Sequence, residues 1–389
     1  MTRDGDDGGR STSRRRFVAT VGTAATLGLA GCVETSDTNA ETTATETTSE
    51  GTTTTSGGTT ATTAGETQSL KMGTTQAYVD AVSTSAGDWV EETFESEYDV
   101  DFEWVVRENE LNDFIQRKQE GVQLGADGYV GVTPTGLVRA DRNLDESLFE
   151  AFDTSRISNS DDVVDAYRFD PQQRVLPTGA SYVCIVYDEN VVDAPATLED
   201  LTKDAWEGEL ILPNPQDTVT GLSFLLWTVK EYGTDGYLDY WDRLIDNGLQ
   251  TTGSWNAAYS AYSNEEAAMV VSYSTDQVYA SQSDVDMARH QIAFPNDQGY
   301  AYVSGTARFA GSGKDDLLHT FADFMLEAET QREVAVKNVG IPTVGDASLP
   351  EDMQQYVHTP ENPLQYGYET LRDNADDWRE QVARRIATQ

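Results

Sequence analysis

The chemistry most narrowly specified by residue type and spacing lies in the first 32 positions. Ser13-Arg14-Arg15-Arg16-Phe17-Val18-Ala19 places adjacent arginines ahead of an apolar, small-residue stretch running from Val18 to Ala30. That stretch is too short to span a bilayer as a permanent helix, and the pattern is that of a cleavable twin-arginine export signal. Leu29-Ala30-Gly31-Cys32 follows directly and resembles a lipobox. Small residues ahead of the cysteine suit a peptidase that admits little bulk, and an exposed thiol suits lipid attachment. Arg14 and Arg15 are therefore expected to direct export by the twin-arginine route. Cys32 is expected to become the lipidated first residue, so that residues 1–32 are a signal and the mature chain is held at the extracellular face of the cell membrane.

The templates for covalent and acid–base catalysis find no support. The chain has no phosphate-binding Gly-x-x-x-x-Gly-Lys loop, no Gly-x-Gly-x-x-Gly after a strand, no Gly-x-Ser-x-Gly elbow and no Cys/His metal spacing. His290, His319 and His358 stand alone and read as structural or surface residues. The other cysteine, Cys184, lies inside the apolar run Tyr182-Val183-Cys184-Ile185-Val186-Tyr187 and reads as a small core residue. No catalytic residue, cofactor or metal site is expected.

Composition narrows the partners. Sixty-seven acidic residues face 26 basic ones, a formal net charge of −41, and the acids are spread along the 389 residues rather than gathered in a tail. A uniform acidic excess suits molar salt, where the Debye length falls to about 3 Å and self-repulsion is screened; an extreme halophile is the expected source. The same charge excludes a phosphate backbone as partner, so nucleic acid is not expected. From residue 33 to 69 the sequence is Thr, Ser, Gly, Ala and Glu with almost nothing apolar to bury, and is expected to be a disordered tether.

The elements that would position a site begin at Leu70. Leu70–Gly73, Val100–Val106, Gly128–Val132, Tyr182–Tyr187 and Leu210–Leu212 read as strands, the fourth buried on both faces. Helices are expected through Trp89, Val90 and Phe94, over Leu111–Glu120, after the Thr197–Asp200 capping box, over Thr218–Tyr232, and through Trp378 at the end. This alternation predicts an α/β fold with a mainly parallel sheet.

The order of segments resembles a type II periplasmic solute-binding protein. Pro177-Thr178-Gly179-Ala180-Ser181-Tyr182 leading into Val186–Asn190 is similar to that superfamily's crossover strand, and Ala194–Leu201 with Trp206–Leu210 to its continuation. Asp217–Leu222, Leu225-Leu226-Trp227, Tyr232-Gly233, Gly253-Ser254-Trp255, Tyr259 and Ser272–Thr275 to Tyr279, with Ile341-Pro342-Thr343-Val344, resemble the thiamine-binding proteins of ABC importers. The resemblance implies two lobes joined by hinge strands: residues 70–178 with 302–389 as lobe 1, and 179–301 as lobe 2. It implies a monomer with three partners: thiamine or a thiamine phosphate, an ABC permease with its ATPase, and a membrane reached through the lipid anchor.

Carried over residue by residue, the resemblance implies aromatic ligand contacts at Trp255, Tyr273 and Tyr279, and at Tyr78 after the first strand. A phosphate-binding turn falls on Thr218, Thr220 and Gly221, where a helix start offers free N–H groups, a hydroxyl and a residue without a side chain. The family carboxylate that faces the ligand ring falls in Arg107-Glu108-Asn109-Glu110. Asn109 takes the aligned position, leaving Glu108 or Glu110 to substitute. A flat aminopyrimidine joined to a cationic thiazolium suits such a set, because a cation over an aromatic face gains about 0.5–2 kcal/mol. Two other readings share these features: an iron(III) or other small-solute binder of the same superfamily, and a surface adhesin or receptor on the same fold without transport.

Overall fold

Strand and helix alternate from the first described residue. The computed structural model describes residues 68–81, 84–282 and 285–388; the twin-arginine motif, Cys32 and nearly all of the Thr-rich stretch lie outside the described residues. The first strand, β1 (Gln68–Thr74), starts two residues before the expected boundary. It is followed by α1 (Gln76–Val79), α2 (Gly87–Tyr98), β2 (Val100–Val106), α3 (Leu111–Gln119), β3 (Gly128–Val132), α4 (Pro134–Asn143) and the short β4 (Phe149–Glu150). Val90 and Phe94, one helical turn apart, bury the inner face of α2 against Phe102 of β2 and Phe321 and Phe324 further along the chain. At α4, Thr133 caps the helix by accepting from the Gly136 N–H (3.1 Å), with Pro134 at the first helical position.

The next strand is the longest: β5 (Val175–Tyr187). After it come β6 (Leu210–Pro213), α5 (Val219–Asp246), β7 (Gln250–Thr252), α6 (Trp255–Ser263), β8 (Met269–Tyr273), α7 (Asp276–Ser281), β9 (Gln291–Ala293) and β10 (Gln298–Phe309). The chain closes with α8 (Asp315–Leu326), α9 (Ala328–Lys337), α10 (Glu351–Gln354), β11 (Asn362–Leu364) and α11 (Tyr368–Ile386). The helix expected over Thr218–Tyr232 breaks where expected: Gly233, at φ 70° and ψ 172°, leaves the helical region before a second helical stretch runs to Asp246. The Thr197 capping box forms, but it opens only a 3₁₀ turn, Leu198–Thr202. Lys203 leaves the helical region there, so no α-helix follows.

The sheet runs β2-β1-β3-β10-β5-β8-β6-β7. β2, β1 and β3 are parallel, as are β8, β6 and β7, but β10 is antiparallel to β3 and to β5, and β5 is antiparallel to β8. The expected mainly parallel sheet is thus mixed, for a geometric reason. Two long strands run in opposite directions between two parallel three-stranded groups. Their pairing carries one irregularity, where Ser304 faces Gly179 and Gly305 faces Pro177. A side chain at Gly305 would meet the Leu176 carbonyl oxygen at 2.4 Å, so the close approach at this bulge requires glycine. Cys184 lies fully buried in β5, as its apolar run predicts.

The end helix α11 is tied to the interior by charge. Arg174, with a side chain only 4% exposed, pairs with Asp170 (3.0 Å) and Asp141 (2.8 Å), and Asp141 also accepts from the Tyr368 phenol of α11. Arg174→Met leaves a buried carboxylate without its cation. It is expected to cost about 3–5 kcal/mol of folding free energy, seen as a lower denaturant midpoint with an unchanged far-ultraviolet spectrum before the transition.

Candidate ligand-binding site

A row of rings crosses the sheet where the two strand groups meet. Trp255 opens α6, capped by Ser254, whose hydroxyl accepts from the Ala257 N–H at 3.1 Å. One turn on, Tyr259 stacks on the indole with centroids 5.0 Å apart and planes 27° apart. The indole N–H donates to Ser272 Oγ at 3.1 Å. Tyr273, at the end of β8, lies 6.2 Å from Trp255, and Tyr302 of β10 meets Tyr273 edge-on at 5.2 Å. The Tyr273 phenol and the Thr220 hydroxyl, 2.7 Å apart, join β8 to the first turn of α5.

Beyond Tyr302 lies a carboxylate. Glu110 precedes α3 with a backbone at φ 50°, ψ −127°, a conformation costly for a residue with a side chain. Its side chain is open to water, yet enough protein surrounds it that incomplete hydration raises the carboxyl above its ordinary value. Burial pushes the Tyr302 phenol up to about 12, with the Glu110 charge adding to the shift. Burial, then Glu110, likewise raises Tyr129. The row therefore presents protonated phenols, stacking faces and one anionic end.

The expected site residues fall unevenly around this row. Trp255 and Tyr273 stand in it. Tyr279 packs its edge on Tyr259 at 6.5 Å rather than on the indole. Tyr78 stands apart from the row. It is 7% exposed, set against Trp104 in the core beneath β1, and its phenol oxygen has no partner among the described residues. Glu108 is exposed, and Glu110 is the acid whose charge reaches Tyr302. Asn109 donates to Asp113 at 3.1 Å.

The turn before α5 also differs from expectation. The Thr218 hydroxyl accepts from the Gly221 N–H at 3.0 Å, an N-cap, and the Thr220 hydroxyl is held by Tyr273. The Val219 and Thr220 N–H groups remain without partners among the described residues. Gly221 is needed for packing: a Cβ there would sit 1.8 Å from the Pro213 carbonyl oxygen. Thr133 and Pro134, at the start of α4, line one narrow crevice with Val219 and Tyr302. Residues from the starts of α4 and α5 thus line the same crevice. Tyr259 and Tyr302 are absent from the expected set. Tyr259 carries two sequence signals, its place in the resemblance and its spacing four residues after Trp255, whereas Tyr302 carries neither.

The profile of the bacterial extracellular solute-binding protein family matches residues 89–361, and the chain belongs to that family. Its fold is the two-lobed type II periplasmic-binding-protein fold. The thiamine-binding periplasmic protein of Escherichia coli (strain K12) is 25% identical over 279 residues, covering 69% of this chain and 81% of that one. A solved periplasmic thiamin binding protein superposes with a TM-score of 0.71 at 22% identity, covering 85% and 99% of the two chains. The ferric binding protein from Campylobacter jejuni superposes at 0.66 with 17% identity, covering 81% and 99%.

The Thr220–Tyr273 contact is a testable joint of this site. Thr220→Val leaves a buried phenol unpaired and is expected to cost about 1–3 kcal/mol of stability. Adding Tyr273→Phe should cost little more, because the pair is then gone from both sides; a double-mutant cycle by thermal denaturation measures this.

Proposed function

We infer that the protein is the substrate-binding component of an ABC importer that captures thiamine or a thiamine phosphate outside the cell and delivers it to a membrane permease. The observation that carries this reading is the ring row Trp255–Tyr273–Tyr302 with Glu110 at its end. Flat faces suit an aminopyrimidine, a carboxylate suits its amino group or the thiazolium charge, and desolvated rings suit a cation. The relatives named for thiamine support the same ligand. Two helix starts lining one crevice support acceptance of a phosphate by backbone N–H groups, without a basic side chain. Iron(III) ligation by phenolates would require the loss of protons that burial holds on Tyr273 and Tyr302.

In this reading, residues 70–178 with 302–389 form one lobe and 179–301 the other, with the bulge at Gly179 and Ser304–Gly305 as the flexing point of the crossing strands. Closure over the solute shifts the population toward the closed form in proportion to its extra contacts there. The signal at Arg14–Arg15 and the lipid site at Cys32 would hold the head outside the membrane on the Thr-rich tether, and the acidic surface would keep it soluble in molar salt.

Titration calorimetry in high salt with thiamine, thiamine monophosphate and iron(III) tests the ligand; heat with iron alone would overturn it. Trp255→Ala is expected to weaken thiamine binding by at least about tenfold with its circular dichroism unchanged. Glu110 adds a pH signature. Its raised carboxyl takes a proton at a higher pH than an exposed glutamate, and a cation favours the ionised form. Affinity is therefore expected to be full at neutral pH and to fall as pH drops through that raised value, above the ordinary 4.5. Glu110→Gln should remove this step from the binding profile.

A further inference from the structure

A second carboxylate lies behind the aromatic row. Asp276, the first residue of α7, has a side chain only 4% exposed. Its Oδ1 accepts from the Tyr259 phenol at 2.5 Å, and its Oδ2 lies 2.6 Å from His290 Nδ1. The Tyr259 oxygen is also 3.3 Å from that nitrogen, so the three side chains form a closed triangle. Among the described residues no arginine pairs with Asp276, and His290 offsets its charge only when protonated. Arg289, beside His290, is directed instead at Asp188 (3.2 Å) and Glu265 (3.4 Å). After burial, the charge of Asp276 is the next cause raising the Cys184 thiol and the Tyr262 phenol on either side.

The link to the site runs through one ring. Tyr259 gives its hydroxyl to Asp276 and its face to Trp255. A hydrogen bond to a carboxylate is charge-assisted and pushes electron density into the phenol that donates it. Surface acids, however numerous, are screened by salt within about 10 Å at 0.1 M and less at higher salt, whereas a buried anion is screened far less. Asp276 is thus placed to send negative potential into the ring stack when the surface cannot.

We propose that Asp276, held by His290 and acting through Tyr259, is a positioning and selectivity residue that makes the Trp255 wall prefer a cationic ring over a neutral one of similar shape. The proposal rests on the thiamine reading and deepens it.

The test compares thiamine with thiochrome, its uncharged tricyclic oxidation product, by titration of the wild-type protein, Asp276→Asn and Tyr259→Phe. Asp276→Asn keeps the acceptor for Tyr259 and removes the charge. It is expected to lower thiamine affinity at least about fivefold while changing thiochrome affinity less than about twofold. Tyr259→Phe keeps the stack but cuts the link, and should shift the ratio of the two affinities in the same direction. It also carries the test if Asp276→Asn does not fold. Equal losses for both ligands, or an unchanged ratio in both variants, would overturn the proposal while leaving thiamine binding intact. A wild-type protein that binds no thiamine would overturn both readings.

Discussion

The antiparallel pairing of β5 with β10 is the constraint from which the rest of the architecture follows. The two strands face each other from Val183–Tyr300 to Val175–Ala307, and the remaining strands attach to one or the other directly or through neighbours. β3, β4 and β11 lean on β10, while β8 and β9 lean on β5. β10 joins one parallel group through β3 and β5 joins the other through β8, each antiparallel to the strand it meets. The rings come together for the same reason. Tyr302 rides on β10, and Tyr273 ends the strand that pairs with β5, so the pairing that joins the halves also sets Tyr302 and Tyr273 edge to face.

This explains what could be read from the chain and what could not. Strands such as Val100–Val106 and Gly128–Val132, and helices such as Leu111–Gln119, are local: apolar spacing suffices to specify them. The mixed direction of the sheet is not local, since nothing in β5 or β10 states which neighbour each will meet. The same division holds at the site. Trp255 and Tyr273 lie in segments whose order resembles a known family. Tyr302 comes from a strand nearly thirty residues past Tyr273 and reaches it only through the pairing. Tyr78 is legible only as a tyrosine just after a strand; that its ring packs on Trp104 depends on β2, which carries Trp104.

Asp276 and Glu110 show how one residue type serves two purposes in so acidic a chain. Most of the 67 acids face solvent, where a carboxylate beside water and counterions contributes little to any particular contact. Buried acids such as Asp170 and Asp127 pair with an arginine or lysine, whereas Asp276 and Glu110 lose part of their hydration with no such partner among the described residues. Glu110 has lost enough water that its carboxyl is raised, and it has no basic side chain to offset that loss. Asp276 is closed off further, and keeps two hydrogen-bonding partners in compensation. An unpaired or incompletely paired anion next to aromatic faces is an unfavourable arrangement for stability alone. It becomes favourable when a cation completes it.

Two of the described non-glycine residues with positive φ bear on this region. Val339, a β-branched residue, holds φ at 51°, and Glu110 holds φ at 50°. Conformations of this kind persist only where the surroundings dictate them. At Val339 the Thr275 hydroxyl takes its carbonyl at 2.7 Å, and the following Gly340 and Ile341 N–H groups are held by Ala335 and Ala180. Thr275 is the neighbour of Asp276, so the strained turn is fastened to the residue that precedes the buried carboxylate. Ile341 is bridged to Ala180 in β5, beside the bulge at Gly179. A rotation of one strand group against the other about that bulge would pull on the Val339 turn and on the start of α7 together. The turn is thus a mechanical connection between the crossing strands and the segment that fixes Asp276, and through Tyr259 the position of Trp255.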